Sequence, residues 1–195
     1  MKKIYQRALD ELNNHKVIAF PTETVFGLGV FYDDEEAYEL LNKVKNRKDN
    51  KPYTLMLSDT RDIDNYAYLD EKFLPIVQKF MPGSLTILLR SKENVPSYVT
   101  QGTNVIGIRI PSNKEALELL EFVKKPLLVP SANKSDQPPA LTKQEVKEIF
   151  KDEVDVIVPG ETTSGLSSTI IDLTTDGIIL VREGPVPFKE ILKLV

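Results

Sequence analysis

Val17-Ile18-Ala19-Phe20-Pro21-Thr22-Glu23-Thr24-Val25-Phe26-Gly27-Leu28-Gly29 is the stretch on which the fold turns. Its first four residues are apolar and predict a short buried strand, which Pro21 stops. The residues after it read as a tight turn bearing side-chain oxygens. Upstream, Ile4, Ala8, Leu9 and Leu12 recur at helical spacing and predict an amphipathic helix over 3–14. Downstream, Asp33-Asp34-Glu35-Glu36 opens a helix whose far end carries Lys43, Lys45 and Arg47. Acids first and bases last complement the helix dipole.

Outward from this unit the pattern continues irregularly. Strands are predicted over 53–57, 85–89, 105–110, 127–129, 154–158, 169–173 and 178–181. Helices are predicted over 71–80, 114–124, 142–150 and 187–194, the third opening on Thr142 and Glu145 spaced as a capping box. Two late strands are adjacent, so the reading is an α/β domain with a mixed sheet, not a purely doubly wound one. The stretches 91–104 and 131–141 are long, irregular and rich in Pro, Ser, Asn and Gln, a combination often tied to function.

With 195 residues, 41% of them hydrophobic and 28% charged, the chain can bury a full core as one domain. A net charge of -4 argues against non-specific nucleic-acid binding by the whole surface, though a local basic cleft remains compatible with it. The chain has no cysteine, which removes disulfides, thiolate nucleophiles and thiolate metal sites. No window approaches the roughly 20 apolar residues of a membrane span, and the N-terminus does not read as a signal peptide. The expected location is the cytoplasm.

Several catalytic devices are missing from the sequence. There is no phosphate loop of the G-x-x-x-x-G-K-[ST] type, and Gly27-Leu28-Gly29 lacks the third glycine of a dinucleotide fingerprint. The single histidine, His15, reads as a solvated residue at a helix end. The chemistry left needs no side-chain nucleophile, and nucleotidyl transfer is of that kind, driven by positioning and by cations around phosphates. Lys45, Arg47, Lys48, Lys51, Arg109 and Arg182 are the candidate cations. The run 43–51 also reads as an ordinary solvated helix end. Arg109 sits in the apolar strand Ile106-Gly107-Ile108-Arg109-Ile110-Pro111. Alternation would turn it to solvent, whereas a strand end beside glycine suits a bidentate clamp for carboxylate or phosphate; both readings stay open. Ser131-Ala132-Asn133 follows a strand and Pro130, either as a plain turn or as a ligand loop beyond a strand end.

Seven segments, taken in order, carry more than any one of them. They are Pro21–Gly29, Lys45-Asn46-Arg47 with Lys51-Pro52, Pro82-Gly83-Ser84-Leu85-Thr86, Gly107–Pro111, Ser131-Ala132-Asn133-Lys134-Ser135, Ser168-Thr169-Ile170-Ile171-Asp172 and Arg182-Glu183-Gly184. In this order the chain resembles the YrdC-like family of threonylcarbamoyl-adenylate synthases, in its minimal single-domain form over 1–195. The resemblance implies a twisted open mixed sheet flanked by helices, with a concave, positively charged cleft. It implies an enzyme, a nucleotidyltransferase making L-threonylcarbamoyladenylate and pyrophosphate from L-threonine, bicarbonate or CO₂, and ATP with Mg²⁺. The product would pass to a threonylcarbamoyl transferase complex for N6-threonylcarbamoyladenosine modification of tRNA.

By position in these motifs, the resemblance makes Thr24, Arg109 and Ser168 threonine ligands. It makes Arg47, Lys51, Ser131, Asn133 and Arg182 ATP ligands, and gives Lys45 and Arg47 the catalytic phosphate contacts. Three residues depart from the pattern: Phe26 where tyrosine is common, Met56 where some relatives carry histidine, and Asp136 in place of a glycine. The alternative reading is a non-enzymatic RNA-binding module; any direct RNA binding is expected to be weak, because no broad Lys/Arg stripe accompanies the acidic net charge.

Overall fold

Helix α1 (Lys2–Asn13) buries Tyr5, Ala8 and Leu12, and strand β1 (Ile18–Pro21) follows it. The computed structural model describes residues 1–47 and 52–195. Pro21 does not end the strand but forms its last rung, opposite Phe26 of β2 (Phe26–Phe31). The expected turn is therefore only the tip of a β-hairpin, and 26–31 is a fully buried strand that the sequence reading missed. Gly27 is demanded by packing, because a Cβ there would lie 2.5 Å from Val129 Cγ1.

Helix α2 (Glu35–Lys45) is capped by Asp34, whose Oδ1 accepts from the Ala37 N–H at 3.0 Å. The other oxygen of Asp34 meets His15 Nδ1 at 2.8 Å, so the half-exposed histidine ties the end of α1 to the start of α2. At the far end Asn46 adopts the left-handed conformation at φ 51°, and the Arg47 N–H returns to the Asn42 carbonyl at 3.0 Å. Asparagine tolerates that conformation better than most residues, and the helix stops there.

The remaining strands are β3 (Thr54–Met56), β4 (Ala67–Tyr68), β5 (Leu85–Ser91), β6 (Val105–Arg109), β7 (Leu127–Leu128), β8 (Val156–Ile157), β9 (Thr169–Asp172) and β10 (Ile179–Arg182). The remaining helices are α3 (Leu74–Phe80), α4 (Ser97–Thr100), α5 (Lys114–Val123), α6 (Lys143–Phe150) and α7 (Phe188–Ile191). The capping box is present in part: Thr142 Oγ1 accepts from the Glu145 N–H, while the Glu145 carboxylate reaches the N–H of Leu141. The strands run in the order β10-β9-β5-β6-β3-β7-β2-β1-β8, with β4 pairing beside β5. Pairs β1/β8, β3/β6 and β5/β9 are parallel and the others antiparallel, which makes the sheet mixed as expected.

Side-chain alternation assigns two cores, one to each face of the sheet. Ile18, Phe20, Leu127, Val129, Val156 and Val158 pack with Tyr5, Ala8 and Leu12 of α1 and with Leu119, Leu120 and Val123 of α5. Their strand neighbours Ala19, Leu128 and Ile157 join the opposite core, with Tyr38 and Leu41 of α2, Ile76 of α3 and Phe150 of α6. No helix among the described residues is long and apolar enough to cross a membrane.

At the sheet edge, β10 exposes Ile179, Leu180 and Val181, and its pairing with β9 shifts register between Leu180 and Arg182. Two residues later Gly184 lies against the segment before β9, where a Cβ would stand 2.2 Å from the Ser167 carbonyl oxygen and 2.7 Å from the Thr169 nitrogen. The Gly184→Ala variant must therefore push this backbone apart. It is expected to lose about 1–3 kcal/mol of stability, read as a lower urea midpoint with an unchanged m-value.

Candidate active site

Strand ends and loops surround a cavity of about 360 Å³ whose wall contains Thr24, Lys45, Arg47, Arg109, Ser131, Asn133, Ser168 and Arg182. Every site residue singled out in the sequence thus lines this one cavity, except Lys51, which together with the candidate cation Lys48 lies outside the described residues. Phe26, Met56 and Asp136, the three departures, line the same cavity. Asp136 takes φ 65°, a left-handed conformation that glycine also adopts, so the change from glycine leaves that kind of turn in place.

The hairpin tip is organised by hydroxyls. Thr22 donates its proton to the Val25 carbonyl at 2.6 Å, so the 2.7 Å contact between the Thr22 and Thr24 hydroxyls is donated by Thr24. Thr24 Oγ1 then accepts from Arg109 Nη2 at 2.9 Å. Arg109 is buried, which rules out the solvent-facing reading of its strand position. Its guanidinium also donates to Glu23 Oε1 at 2.6 Å and, through Nε, to the Gly83 carbonyl at 3.2 Å.

Lys45 contradicts the solvated-helix reading for its own position, because it is only 3% exposed. Its ammonium donates to the Ser131 carbonyl at 2.7 Å, the Asn133 carbonyl at 2.9 Å and Asn133 Oδ1 at 3.2 Å. Ser131 Oγ donates to the same Oδ1 at 2.6 Å, and the Asn133 amide nitrogen donates to the Lys134 and Gln137 carbonyls, each at 2.8 Å. The Ser-Ala-Asn segment is therefore a loop clamped onto the end of α2, not a free turn. Burial, with Arg47 and Lys134 close by, pulls the Lys45 pKa down to about 7. Arg47, just past the helix end, lies with its guanidinium carbon 4.3 Å from the centre of the Tyr53 ring.

On the other wall, Ser168 and Thr86 share a hydroxyl contact of 2.9 Å. Arg182 donates to the Ser168 carbonyl from Nε at 3.0 Å and from Nη2 at 2.8 Å. Partial desolvation and the nearby Arg109 charge lower the Arg182 pKa. Two guanidiniums on one wall favour an anionic ligand between or beside them. Among the described residues no three His, Cys, Asp or Glu side chains cluster.

A model of the Sua5, YciO and YrdC proteins, described as "Telomere recombination", matches residues 10–184. The chain belongs to this family. A threonylcarbamoyl-AMP synthase of Pyrococcus abyssi is 35% identical over 182 residues, covering 92% of this chain and 54% of that protein. This chain thus spans about half the length of that relative. The crystal structure of P. abyssi Sua5 complexed with L-threonine superposes with a TM-score of 0.93 at 34% identity, over 98% of this chain and 57% of that one. A relative from Methanocaldococcus jannaschii, to which the same enzyme name is provisionally given, is 34% identical over 193 residues, 98% of this chain and 91% of its own. Escherichia coli YciO, an uncharacterized family member, is 29% identical over 94% of this chain and 90% of its own, and its crystal structure superposes with a TM-score of 0.89.

Family membership and the twisted open sheet agree with the sequence reading. Two features escaped it. One is Glu23, whose partner Arg109 is distant in the chain and which no local pattern marks. The other is a second cavity, of about 470 Å³, that runs from Leu57 and Tyr66 to Leu120 and Pro126 and shares Met56 alone with the first.

The Lys45 arrangement has a pH signature. Its pKa in the fold lies below the usual 10.5, so between about 7 and 10.5 the unfolded chain binds more protons and stability rises with pH through that window. Urea midpoints of the wild type and Lys45→Met, compared at several pH values from neutral to mildly alkaline, are expected to show this rise in the wild type and its loss in the variant.

Proposed function

We propose that this protein is a threonylcarbamoyl-AMP synthase, a nucleotidyltransferase that joins L-threonine, bicarbonate or CO₂, and ATP. The observation that carries the reading is the gathering of an arginine clamp, a hydroxyl wall and the Lys45-anchored loop around one cavity, in a fold that matches a protein complexed with L-threonine at a TM-score of 0.93.

In this reading Arg109 receives the threonine carboxylate. With Nη2 and Nε committed to Glu23, Thr24 and Gly83, the N–H groups on Nη1 remain for the ligand. Thr24, its own proton already given away, meets substrate only as an acceptor, while Ser168 and Thr86 offer a shared hydroxyl pair. The threonine amine adds to CO₂ and loses a proton, giving a carbamate. A carbamate oxygen then attacks the α-phosphorus of ATP, and the bond to the β-phosphate oxygen breaks to release pyrophosphate. Negative charge moves from the carbamate to the leaving pyrophosphate, so cations held in place lower the barrier. Arg47, Arg182 and Lys51 are the proposed contacts for it. Lys45 has given its three N–H groups to the loop, so its part is to hold Ser131 and Asn133 against the nucleotide. Bound with ATP, Mg²⁺ would supply positive charge to the phosphates, and Asp136 is the carboxylate in the cavity wall that would be available to hold it.

Two measurements test this. Pyrophosphate release from ATP and bicarbonate is expected to require L-threonine, with serine weaker by about 1 kcal/mol for its missing methyl; release indifferent to the amino acid overturns the proposal. By calorimetric titration, Arg109→Lys is expected to weaken threonine far more than ATP, and Arg47→Ala the reverse, each by about 1–3 kcal/mol. Equal losses of both ligands in both folded variants would refute this division of the site.

A further inference from the structure

Glu23 does not line the cavity, yet its carboxylate joins Arg109, which does, to the start of α5. Its side chain is 12% exposed, and that of its ion-pair partner Arg109 is 8%. Oxygen Oε1 accepts from Arg109 Nη2 at 2.6 Å and, more weakly, from Ser84 Oγ at 3.5 Å. Oxygen Oε2 accepts from the backbone N–H groups of Ser112 and Asn113 at 3.1 and 3.2 Å, the two residues that lead into α5. The main-chain carbonyl of Glu23 accepts from Thr163 and Ser164, and that of Thr24 from Gly165, which ties down the segment running to Ser168.

From this geometry we infer that Glu23 is a positioning residue for amino-acid binding, acting through Arg109; the inference rests on the threonine-binding role proposed above. Each carboxylate oxygen is already engaged by donors, so Glu23 has no free acceptor with which to serve as a base. What it does is fix a plane. The guanidinium is held at Nη2 by Glu23 and Thr24 and at Nε by Gly83, which leaves one orientation for Nη1. Oε2, held by two backbone N–H groups, keeps the carboxylate itself from turning. A carboxylate ligand thus meets Nη1 donors already in place, and the ordering cost is met in folding, not in binding.

A competing physical effect has the opposite sign. Glu23 neutralises part of the Arg109 charge, so removing it would strengthen the pull on an anion. Orientation dominates here, because a hydrogen bond from Nη1 depends on a direction that charge alone does not supply. Glutamine at this position keeps the shape but turns an amide N–H₂ towards either Arg109 or the Ser112 and Asn113 donors, which leaves a donor facing donors.

The test compares wild type, Glu23→Gln and Glu23→Asp by calorimetric titration with L-threonine and, separately, with ATP, alongside melting temperatures. Glu23→Gln is expected to weaken threonine at least tenfold and to change ATP affinity less than twofold. Glu23→Asp keeps the charge but falls short of Arg109 by one methylene, and it is expected to show the same selective loss; it serves in place of the glutamine variant should that one fail to fold. Unchanged or tighter threonine binding in a folded variant overturns the inference and leaves the proposed function standing. Parallel losses of threonine and ATP affinity overturn it too, since they mark a residue that merely supports the fold. A wild type that binds ATP but no threonine removes the proposed function, and the inference with it.

Discussion

A buried ammonium needs oxygen atoms around it, and Lys45 obtains them by drawing the Ser131–Asn133 loop onto the end of α2. The rest of the cavity is built on the same constraint. Arg109, buried at the end of β6, recruits the hairpin tip between β1 and β2, and Arg182 recruits the carbonyl of Ser168. Each cation is satisfied by main-chain or side-chain oxygens of a different loop, so satisfying the cations also fixes the loops. The polar part of the cavity wall is the outcome of that arrangement, and apolar core residues such as Phe26, Met56 and Val129 complete it.

The sheet supplies what the loops cannot. Because β3 and β6 are parallel, with Met56 opposite Arg109, their carboxyl ends open on the same side. Strands β1 and β7 run the other way, since β7 is antiparallel to β3, so the turn after β1 and the loop after β7 come to the cavity from the opposite end of the sheet. The cavity therefore lies across the short strand β3, whose Thr54 and Met56 both line it, and not beyond a single row of strand ends. The two cores behind it keep these ends in register: α1 and α5 cover one face, and α2, α3 and α6 the other.

What the sequence could disclose follows the range of the interactions concerned. The dipole-ordered charges of α2, the cap at Thr142 and most strands were legible, because each depends on residues a few positions apart. Strand β2 was not: Gly27 and Gly29 look like turn residues in sequence, and only the nearness of Val129 and Phe20 explains them. The short elements β4 and α4 left too few residues to show a period. Lys45 read as one more solvated charge, since the oxygens that surround it come from more than eighty residues away. Arg109 stood between two readings until its burial decided, and Glu23 had no local signal at all. Family resemblance gathered most of the site by motif order, but it could not say which donors were already spent.

Met56 alone belongs to the walls of both cavities, and it is nearly inaccessible to solvent. Its thioether is therefore a partition as much as a packing residue. On the function proposed above, a carbamate and its mixed anhydride with a phosphate are species that bulk water destroys, so the wall between the cavities bears on their lifetime. A flexible, apolar side chain can follow changes in the shape of either cavity without opening a gap. A shorter residue at this position would thin the wall that the two cavities share. In that sense the thioether at position 56 is a boundary between two spaces, and its size helps to set how far apart they stay.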